Sequence, residues 1–171
     1  MTVDQTIMLS NDEEQRLSQL RQILDKAEAH YEIFSHPETI ISAEDGVERG
    51  IGSLSEMAPT LILETERGFV AAIISGETRI SYKKIKKALG LRNVSLARPD
   101  VVLRITGSQV GTVSLVNRVF QTIVDSQLMK ANAVYGGCGV PRHTLRIAPL
   151  DLIKVTKASV FEFTEQKESQ Q

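Results

Sequence analysis

The sequence TLILETERGFVAAII, residues 60–74, decides the fold class of this chain. Two apolar runs, residues 60–65 and 69–74, flank the turn sequence Glu-Arg-Gly at 66–68. Because glycine adopts the positive φ that a tight turn needs, this stretch predicts a β-hairpin. The second run shows little alternation of apolar and polar residues, which predicts a strand covered on both faces.

Short helices and further strands are predicted on both sides of the hairpin. Ser10, Ser42 and Ser81 each stand where a helix N-cap is preferred, and Glu13 completes a capping box with Ser10. The first predicted helix is 10–31, with an apolar stripe of Leu17, Leu20, Leu24, Ala27 and Tyr31. The other predicted helices are 43 to Gly50 or Gly52, 82–89 ended by Gly90, 99–106 begun by Pro99 and ended by Gly107, and 150–155. The predicted strands are 93–96, 110–113, 122–124, 134–135, 144–147 and 159–163.

This order of elements predicts one compact α+β domain with a mixed sheet. The chain has 171 residues, which suits a single domain. We expect residues 1–33 to form an N-terminal segment, which is a loose arm up to Leu9 and then the amphipathic helix. Residues 34–163 are expected to form the main domain, and 164–171 a polar tail that frays. The helix stripe is expected to pack on the main domain, with docking to a partner helix as the alternative.

Composition excludes several classes of protein. Apolar residues make up 42% of the chain, too many for a disordered protein, and the longest central uncharged run, 68–76, is too short to span a bilayer. Twenty Lys and Arg against twenty-one Asp and Glu give a net charge of −1, which excludes a strongly basic nucleic-acid coat but not a local basic patch. Residues 1–10 lack the layout of a signal peptide, so a cytoplasmic location is expected.

No motif predicts a metal or a cofactor. Gly136-Gly137-Cys138-Gly139 lies between two predicted strands rather than before a helix, so it does not fit a phosphate-binding loop. The chain has one cysteine, and His30, His36 and His143 lack the spacing of metal ligands. Cys138 and His143 form either a thiol nucleophile with its base or a small buried thiol beside a turn. We favour the buried thiol because no third orienting group is evident.

Two further features leave their interpretation open. Lys83, Lys84, Lys86 and Lys87, with Arg79 and Arg92 nearby, form either a patch for a phosphate backbone or a solvated helix face. Glycine turns at Gly107, Gly111 and 136–137 either only reverse the chain or expose backbone amides to an oxyanion or a small polar substrate.

Several segments occur in an informative order from about Phe34 to about Val160. They are His36-Pro37 before the helix start Ser42-Ala43-Glu44, TLIL at 60–63, KKIKKALG at 83–90, TGSQVGTVS at 106–114, IVD at 123–125 and YGG at 135–137. In their order and spacing they resemble the YbaK/ProX family, the aminoacyl-tRNA editing domains that are also inserted in bacterial prolyl-tRNA synthetases.

The resemblance implies both a fold and an activity. The fold is a mixed, partly barrel-like β-sheet flanked by short helices, the prolyl-tRNA synthetase-associated domain fold, here with an extra N-terminal amphipathic helix. Members hydrolyse the ester between a wrong amino acid and tRNA, usually in trans and without a metal, so the expected partners are an aminoacyl-tRNA and a synthetase. The residues that we expect to bind substrate are Pro59, Thr60, Gly107, Gly111, Thr112, Val113, Ser114, Tyr135, Gly136, Gly137 and Arg142. The residues that we expect to contact tRNA are Arg79, Lys83, Lys84 and Lys87.

Three positions depart from the family pattern. Pro59 stands where editing members carry a Lys before the first pocket strand, and proline has neither a charge nor a backbone N–H to donate. Leu115 replaces the Pro of the family's Gly-x-x-x-Pro loop, and Arg142 falls on the family's acidic position. The principal catalytic side chain is therefore not transferable to this chain.

Three functions remain open. The first is a deacylase in which backbone amides near Gly111 and Gly137 polarise the ester carbonyl, assisted by Thr60, Ser114 or the Arg142/His143 pair. The second is a binding module for an aminoacyl-tRNA end, an amino acid or a synthetase, which Pro59 favours. The third is an interaction protein that uses its first helix, against which the glycine turns and Asp125 argue.

Overall fold

A computed structural model describes residues 9–167 of the chain. The helices are α1 (Asn11–Lys26), α2 (Ala43–Glu48), α3 (Tyr82–Leu89), α4 (Pro99–Thr106) and α5 (Pro149–Thr156), with short 3-10 segments at Leu54–Glu56 and Ser126–Lys130. The strands are β1 (Tyr31–Ser35), β2 (Thr60–Thr65), β3 (Gly68–Ile73), β4 (Thr78–Ile80), β5 (Val94–Leu96), β6 (Gln121–Asp125), β7 (Val134–Gly137), β8 (His143–Ile147), β9 (Ser159–Phe161) and β10 (Thr164–Gln166).

The strands form three sheets. The largest has the order β5-β2-β3-β6-β9, antiparallel from β5 to β3 and parallel from β3 to β9. A second sheet has the order β1-β8-β7, and β4 pairs with β10 in a third. The α+β class and the mixed sheet are confirmed. The described strands close no barrel, since β5 and β9 end the large sheet as separate edges.

The hairpin at 60–74 is confirmed. β2 and β3 are antiparallel, from Thr60 opposite Ile73 to Thr65 opposite Gly68, and Gly68 has φ of 107°. β3 lies between β2 and β6, so its central residues are buried on both faces of the sheet. The absence of alternation in this run is therefore explained by its central position.

Helix α1 packs on the core, as predicted. Leu17, Leu20 and Leu24 are buried in the cluster that also contains Leu115 and Leu145. Removing these side chains from water contributes about 1.5–3 kcal/mol each to stability.

The helix is shorter than predicted, since it ends at Lys26. Glu28 has φ of 54°, which turns the chain, and Tyr31 begins β1 instead of extending the helix stripe. The predicted loose arm lies outside the described residues apart from Leu9, which packs against the main core.

Three other expectations are wrong. Residues 110–113 form a turn rather than a strand, because Gly111 has φ of 94° and Thr112 N donates to Gln109 O at 3.0 Å. The tail does not fray at Thr164–Gln166, which form β10 against β4, and the strand predicted at 159–163 ends at Phe161. The rest of the predicted tail beyond residue 167 lies outside the described residues.

Candidate functional site

Three stretches that are far apart in the sequence line one cavity of about 810 Å³. They are 59–61, which lead into β2, 110–113, which follow α4, and 135–137, which form most of β7. The remaining lining residues are 40–44, 57–58, 74, 78–83, 96, 140, 142–144, 165 and 167. The floor is apolar and buried, with Met57, Ala58, Ile74, Val113 and Val140 each less than a tenth exposed.

Most of the residues expected to bind substrate lie in this lining, and two do not. The carbonyl of Gly107 accepts from Arg16 Nη1 of α1 at 3.0 Å, which ties it to the N-terminal helix. Ser114 makes an isolated bridge with Gly137, and its hydroxyl accepts from Val116 N at 3.1 Å. The expected residues that line the cavity are Pro59, Thr60, Gly111, Thr112, Val113, Tyr135, Gly136, Gly137 and Arg142.

The glycines of the lining permit backbones to approach closely. A Cβ on Gly111 would lie 2.6 Å from Ile41 O, and one on Gly136 would lie 2.8 Å from Ala58 O. A Cβ on Gly137 would clash with Val113 O. We name residues 111–113 and 135–137 the glycine wall. Its shape depends on main-chain contacts that no other residue type permits at these positions.

Thr60, which lines the cavity, has an unsatisfied polar atom. Its Oγ1 is buried and has no hydrogen-bond partner within the described part of the chain. A buried hydroxyl without a partner costs about 1–3 kcal/mol, which a ligand group that reached Oγ1 would offset. Pro59 beside it has no N–H, and its carbonyl is occupied by Ile74 N at 3.2 Å.

The turn between β7 and β8 contributes Arg142 and His143. Arg142 has φ of 60°, and its carbonyl accepts from His36 N at 3.0 Å. His143 Nδ1 lies 2.8 Å from Pro141 O, so Nδ1 carries a proton and Nε2 of the neutral ring is an acceptor. The turn therefore brings a cation and a base to the same cavity.

His36 packs behind this turn, outside the cavity lining. Its Nε2 lies 2.9 Å from Thr144 Oγ1, and its Nδ1 contacts Glu38 O. Burial lowers the pKa of His36, and the charge of Arg49 lowers it further, whereas the Glu38 carbonyl and the Asp45 carboxylate raise it. The neutral form of the His36 ring is therefore favoured behind the turn that carries the two candidate functional groups.

The mouth of the cavity is charged. Lys167 pairs with Glu44 at 2.9 Å, and Arg79 pairs with Glu165 at 3.4 Å. We name these four residues the charged rim. Lys83 on α3 also lines the cavity and is exposed. The rim joins the start of α2, β4 and the C-terminal segment.

The lysines of α3 have different environments. Lys84 Nζ donates to Glu162 Oε1 at 3.0 Å and to Thr164 O at 3.1 Å, so it helps to hold β10. Lys83 and Lys87 are exposed and four residues apart, which places them on one face of the helix. That face begins at the cavity and leads away from it.

Cys138 does not fit the nucleophile hypothesis. The side chain is 3% exposed, it belongs to the main core, and it is absent from the cavity lining. Burial raises the pKa of the thiol to about 11, so at neutral pH the sulfur keeps its proton. The buried-thiol interpretation agrees with this environment.

Asp125 has a structural role. The side chain is fully buried, Oδ1 accepts from Gln127 N at 2.9 Å and Oδ2 accepts from Phe163 N at 2.8 Å. The carboxylate thus connects the end of β6 to the residue before β10. Both carboxylate oxygens are held by backbone amides, and Asp125 is outside the cavity lining.

Several lining residues carry no signal in the sequence. Residues 40–44, 78, 80–82, 165 and 167 reach the cavity through α2, β4, the start of α3 and the segment that contains β10. The Ser42 cap predicts α2, but nothing local indicates that Glu44 meets Lys167. The two strands β4 and β10 have three residues each, too few for a readable alternation.

Within residues 9–167, no three His, Cys, Asp or Glu side chains are grouped closely enough to bind a metal ion. No helix of this part of the chain is both long and apolar enough to cross a membrane.

The sequence model of the aminoacyl-tRNA editing domain matches residues 36–155, more than two thirds of the chain. The chain belongs to the aminoacyl-tRNA editing domain family. The resemblance to YbaK/ProX proteins is confirmed by this match. The match includes all three stretches that line the cavity, whereas α1 lies before it.

Solved structures share the editing-domain fold. A proposed trans-editing enzyme for prolyl tRNA synthetase is 22% identical, has a TM-score of 0.78, and covers 92% of this chain and 99% of its own. A hypothetical protein at 27% identity has a TM-score of 0.77, with 85% of this chain and 99% of that chain covered. A proposed signal transduction protein from Marinobacter aquaeolei VT8 matches at TM-score 0.62 and 16% identity, over 85% of this chain and 30% of that chain.

Proposed function

We propose that this protein is an editing-type deacylase that hydrolyses the ester of a mischarged tRNA in trans. The observation that carries the proposal is the convergence of 59–61, 110–113 and 135–137 on one cavity of about 810 Å³. A cavity of this size suits a small molecule or the end of a larger one. Membership of the editing-domain family supports an aminoacyl ester as that end.

The proposed reaction is the addition of water to the ester carbonyl. The water oxygen bonds to the carbonyl carbon, the bond from that carbon to the ribose oxygen breaks, and the ribose oxygen takes a proton. Thr60 Oγ1 is the donor proposed to polarise the carbonyl, because it is buried in the lining and has no partner within the described residues. Backbone amides near Gly111 and Gly137 are the second candidate donors.

His143 is the proposed acceptor for the water proton. Its Nδ1 is committed to Pro141 O, which leaves Nε2 of the neutral ring to accept. Ser114 is the weaker candidate, since it lies outside the lining and its hydroxyl already accepts from Val116 N.

The exposed face of α3 is the proposed path for the tRNA backbone. Lys83 lines the cavity, and Lys87 lies one turn further along the same face. Arg79 joins them at the charged rim, whereas Lys84 is held by Glu162. We expect Lys87→Glu to weaken tRNA binding and its salt dependence, while Lys84→Glu also loosens β10.

A binding module without catalysis is the second candidate. Pro59 favours it, because neither its ring nor its nitrogen supplies a donor to a carbonyl. Such a module would hold an aminoacyl-tRNA end, an amino acid or a synthetase in the same cavity.

Single-turnover deacylation of a panel of mischarged tRNAs tests the proposal. We expect at least one ester to be cleaved faster than in buffer. Thr60→Val, which removes one donor, should lower that rate about tenfold to a hundredfold. Thr65→Val, at the other end of β2, is the matched control and should leave the rate unchanged.

The outcomes separate the two candidates. Deacylation that equals buffer hydrolysis for every ester contradicts the enzyme. If the same tRNAs bind and Pro59→Lys then creates deacylation, the binding module stands and the cavity is correctly assigned. If neither protein binds or cleaves any of these tRNAs, the enzyme fails, and so does a module that holds an aminoacyl-tRNA end.

A further inference from the structure

The charges around the cavity are not balanced. The lining contains the cations Arg79, Lys83, Arg142 and Lys167 and the carboxylates Glu44 and Glu165. Each carboxylate is already paired, Glu44 with Lys167 and Glu165 with Arg79. Within residues 9–167, the side chains of Lys83 and Arg142 have no hydrogen-bond or ion-pair partner. The cavity therefore presents two cationic groups that no carboxylate of residues 9–167 compensates.

Arg142 is the better placed of these two cations. The residue is half-buried, whereas Lys83 is exposed. A charge in a recess that is partly shielded from water interacts more strongly with an anion than one in bulk solvent. The floor beside it is apolar, formed by residues such as Val113 and Val140.

The backbone of Arg142 is held by a hydrogen bond, whereas its side chain has no partner within residues 9–167. Its carbonyl accepts from His36 N at 3.0 Å, and the following His143 is tied to Pro141 O at 2.8 Å. The φ of 60° is unfavourable for an L residue other than glycine, at about 1–2 kcal/mol. The fold thus holds a strained residue at the cavity, and its guanidinium has no partner among the described side chains.

A guanidinium recognises carboxylate and phosphate oxyanions through two parallel hydrogen bonds. Pro59 in the same lining supplies no donor, and Arg142 is the half-buried cation of the lining whose side chain has no partner within residues 9–167. We propose that Arg142 binds an oxyanion of the ligand, which is either the terminal phosphodiester of a tRNA or the carboxylate of an acidic aminoacyl group. This inference rests on the proposed function only in taking the ligand to be the aminoacyl end of a tRNA.

Stable amide analogues of the aminoacyl end test the proposal by calorimetry with the full chain. One probe is 3′-alanylamido-adenosine with a 5′-phosphate, the second is 3′-glutamylamido-adenosine without phosphate, and the third is 3′-alanylamido-adenosine without either anion. We expect one anionic probe to bind best, and the better of the two identifies the source of the oxyanion.

The variants are Arg142→Gln, Arg142→Lys and the control Arg118→Gln, which removes an exposed arginine outside the lining. Arg142→Gln should weaken the preferred anionic probe at least about tenfold and leave the third probe unchanged. Arg142→Lys should recover part of the loss, because it keeps the charge but not the paired donors. Arg118→Gln should bind like the unmodified protein, and thermal melting checks that each variant is folded.

Two results would overturn the proposal. The first is that the dissociation constants of both anionic probes differ by less than twofold between Arg142→Gln and Arg118→Gln. The second is that the unmodified protein binds neither anionic probe. Deacylation separates this failure from that of the proposed function. A protein that cleaves a mischarged tRNA equally well with Arg142→Gln is a deacylase without this oxyanion site. Loss of anion binding in Arg142→Gln, in a protein that cleaves nothing, supports the site and contradicts the enzyme.

Discussion

The glycine wall and the charged rim of the cavity are held in different ways. The wall, residues 111–113 and 135–137, is fixed by backbone contacts so close that a Cβ on Gly137 would clash with Val113 O. The rim is held by two exposed ion pairs, Glu44 with Lys167 and Arg79 with Glu165. Close packing is costly to change, whereas exposed pairs contribute little. The shape of the site is therefore set by the wall, and its charge is free to vary at the rim.

Gly137→Ala gives the largest expected effect on this contrast. The added methyl overlaps Val113 O and lies 2.9 Å from Thr112 O, so the wall must open. We expect the free energy of unfolding in urea to fall by about 3 kcal/mol.

Gly50→Ala is the control for this substitution. Gly50 has φ of 75° but open space around it, so it should lose only about 1 kcal/mol, the price of a left-handed conformation. Equal losses in the two variants would mean that the wall relaxes easily, which contradicts the contrast.

Cys138, directly after the wall, tests how tightly that side is closed. Burial raises the pKa of its thiol from 9.0 to about 11. Because the unfolded chain loses this proton first, the stabilising contribution is complete below about pH 9 and decreases as the pH rises toward 11. The loss at the alkaline end is about 2–3 kcal/mol.

The measurement is the free energy of unfolding of the unmodified protein minus that of Cys138→Ala, from pH 8 to 10.5. We expect this difference to decrease with rising pH. In the folded protein, iodoacetamide at pH 8 should modify the thiol much more slowly than in urea. A flat difference together with fast labelling would place the thiol in solvent.

The pH dependence that His36 gives to stability tests how well the turn between the glycine wall and Arg142 is packed. Burial lowers the pKa of its ring, so the unfolded chain binds the proton first as the pH falls. The stabilisation is present above pH 6.5 and is lost below it, down to the folded pKa. Unfolding measured between pH 7.5 and 5 should show a steeper decline for the unmodified protein than for His36→Gln. Parallel curves would show that the ring is solvated in the folded state.

The smallest effect is expected at the rim. A double-mutant cycle on Glu44→Ala and Lys167→Ala should give a coupling energy below about 1 kcal/mol that disappears in high salt. Both side chains are about half exposed, at 58% and 42%. A coupling several times larger would show that the rim, like the wall, helps to fix the shape of the cavity.

The sequence predicts elements whose signals are local. Ser10, Ser42 and Ser81 cap helices as expected, each accepting from the amide three residues later. Gly90 and Gly107 end helices with φ of 66° and 73°. These features need only a few neighbouring residues, so a single sequence contains them.

Elements that depend on distant partners escape such reasoning. β10 exists because Thr164–Gln166 pair with Thr78–Ile80, and neither segment alternates long enough to be read as a strand. Residues 110–113 look like a strand by composition, but the turn at Gly111 packs against Ile41. The wall could be anticipated from its glycines and from the family resemblance. The rim could not, since Lys167 and Glu44 are 123 residues apart.

The central claim is that 59–61, 110–113 and 135–137 together hold an aminoacyl end. Amide chemical shifts measured by NMR during titration with the phosphorylated 3′-alanylamido-adenosine and with the glutamyl analogue test it most directly. We predict that Thr60, Gly111 and Gly137 shift together and saturate at one ligand concentration. Shifts confined to other surfaces, such as the exposed side of α1, or no shifts with either analogue would contradict it.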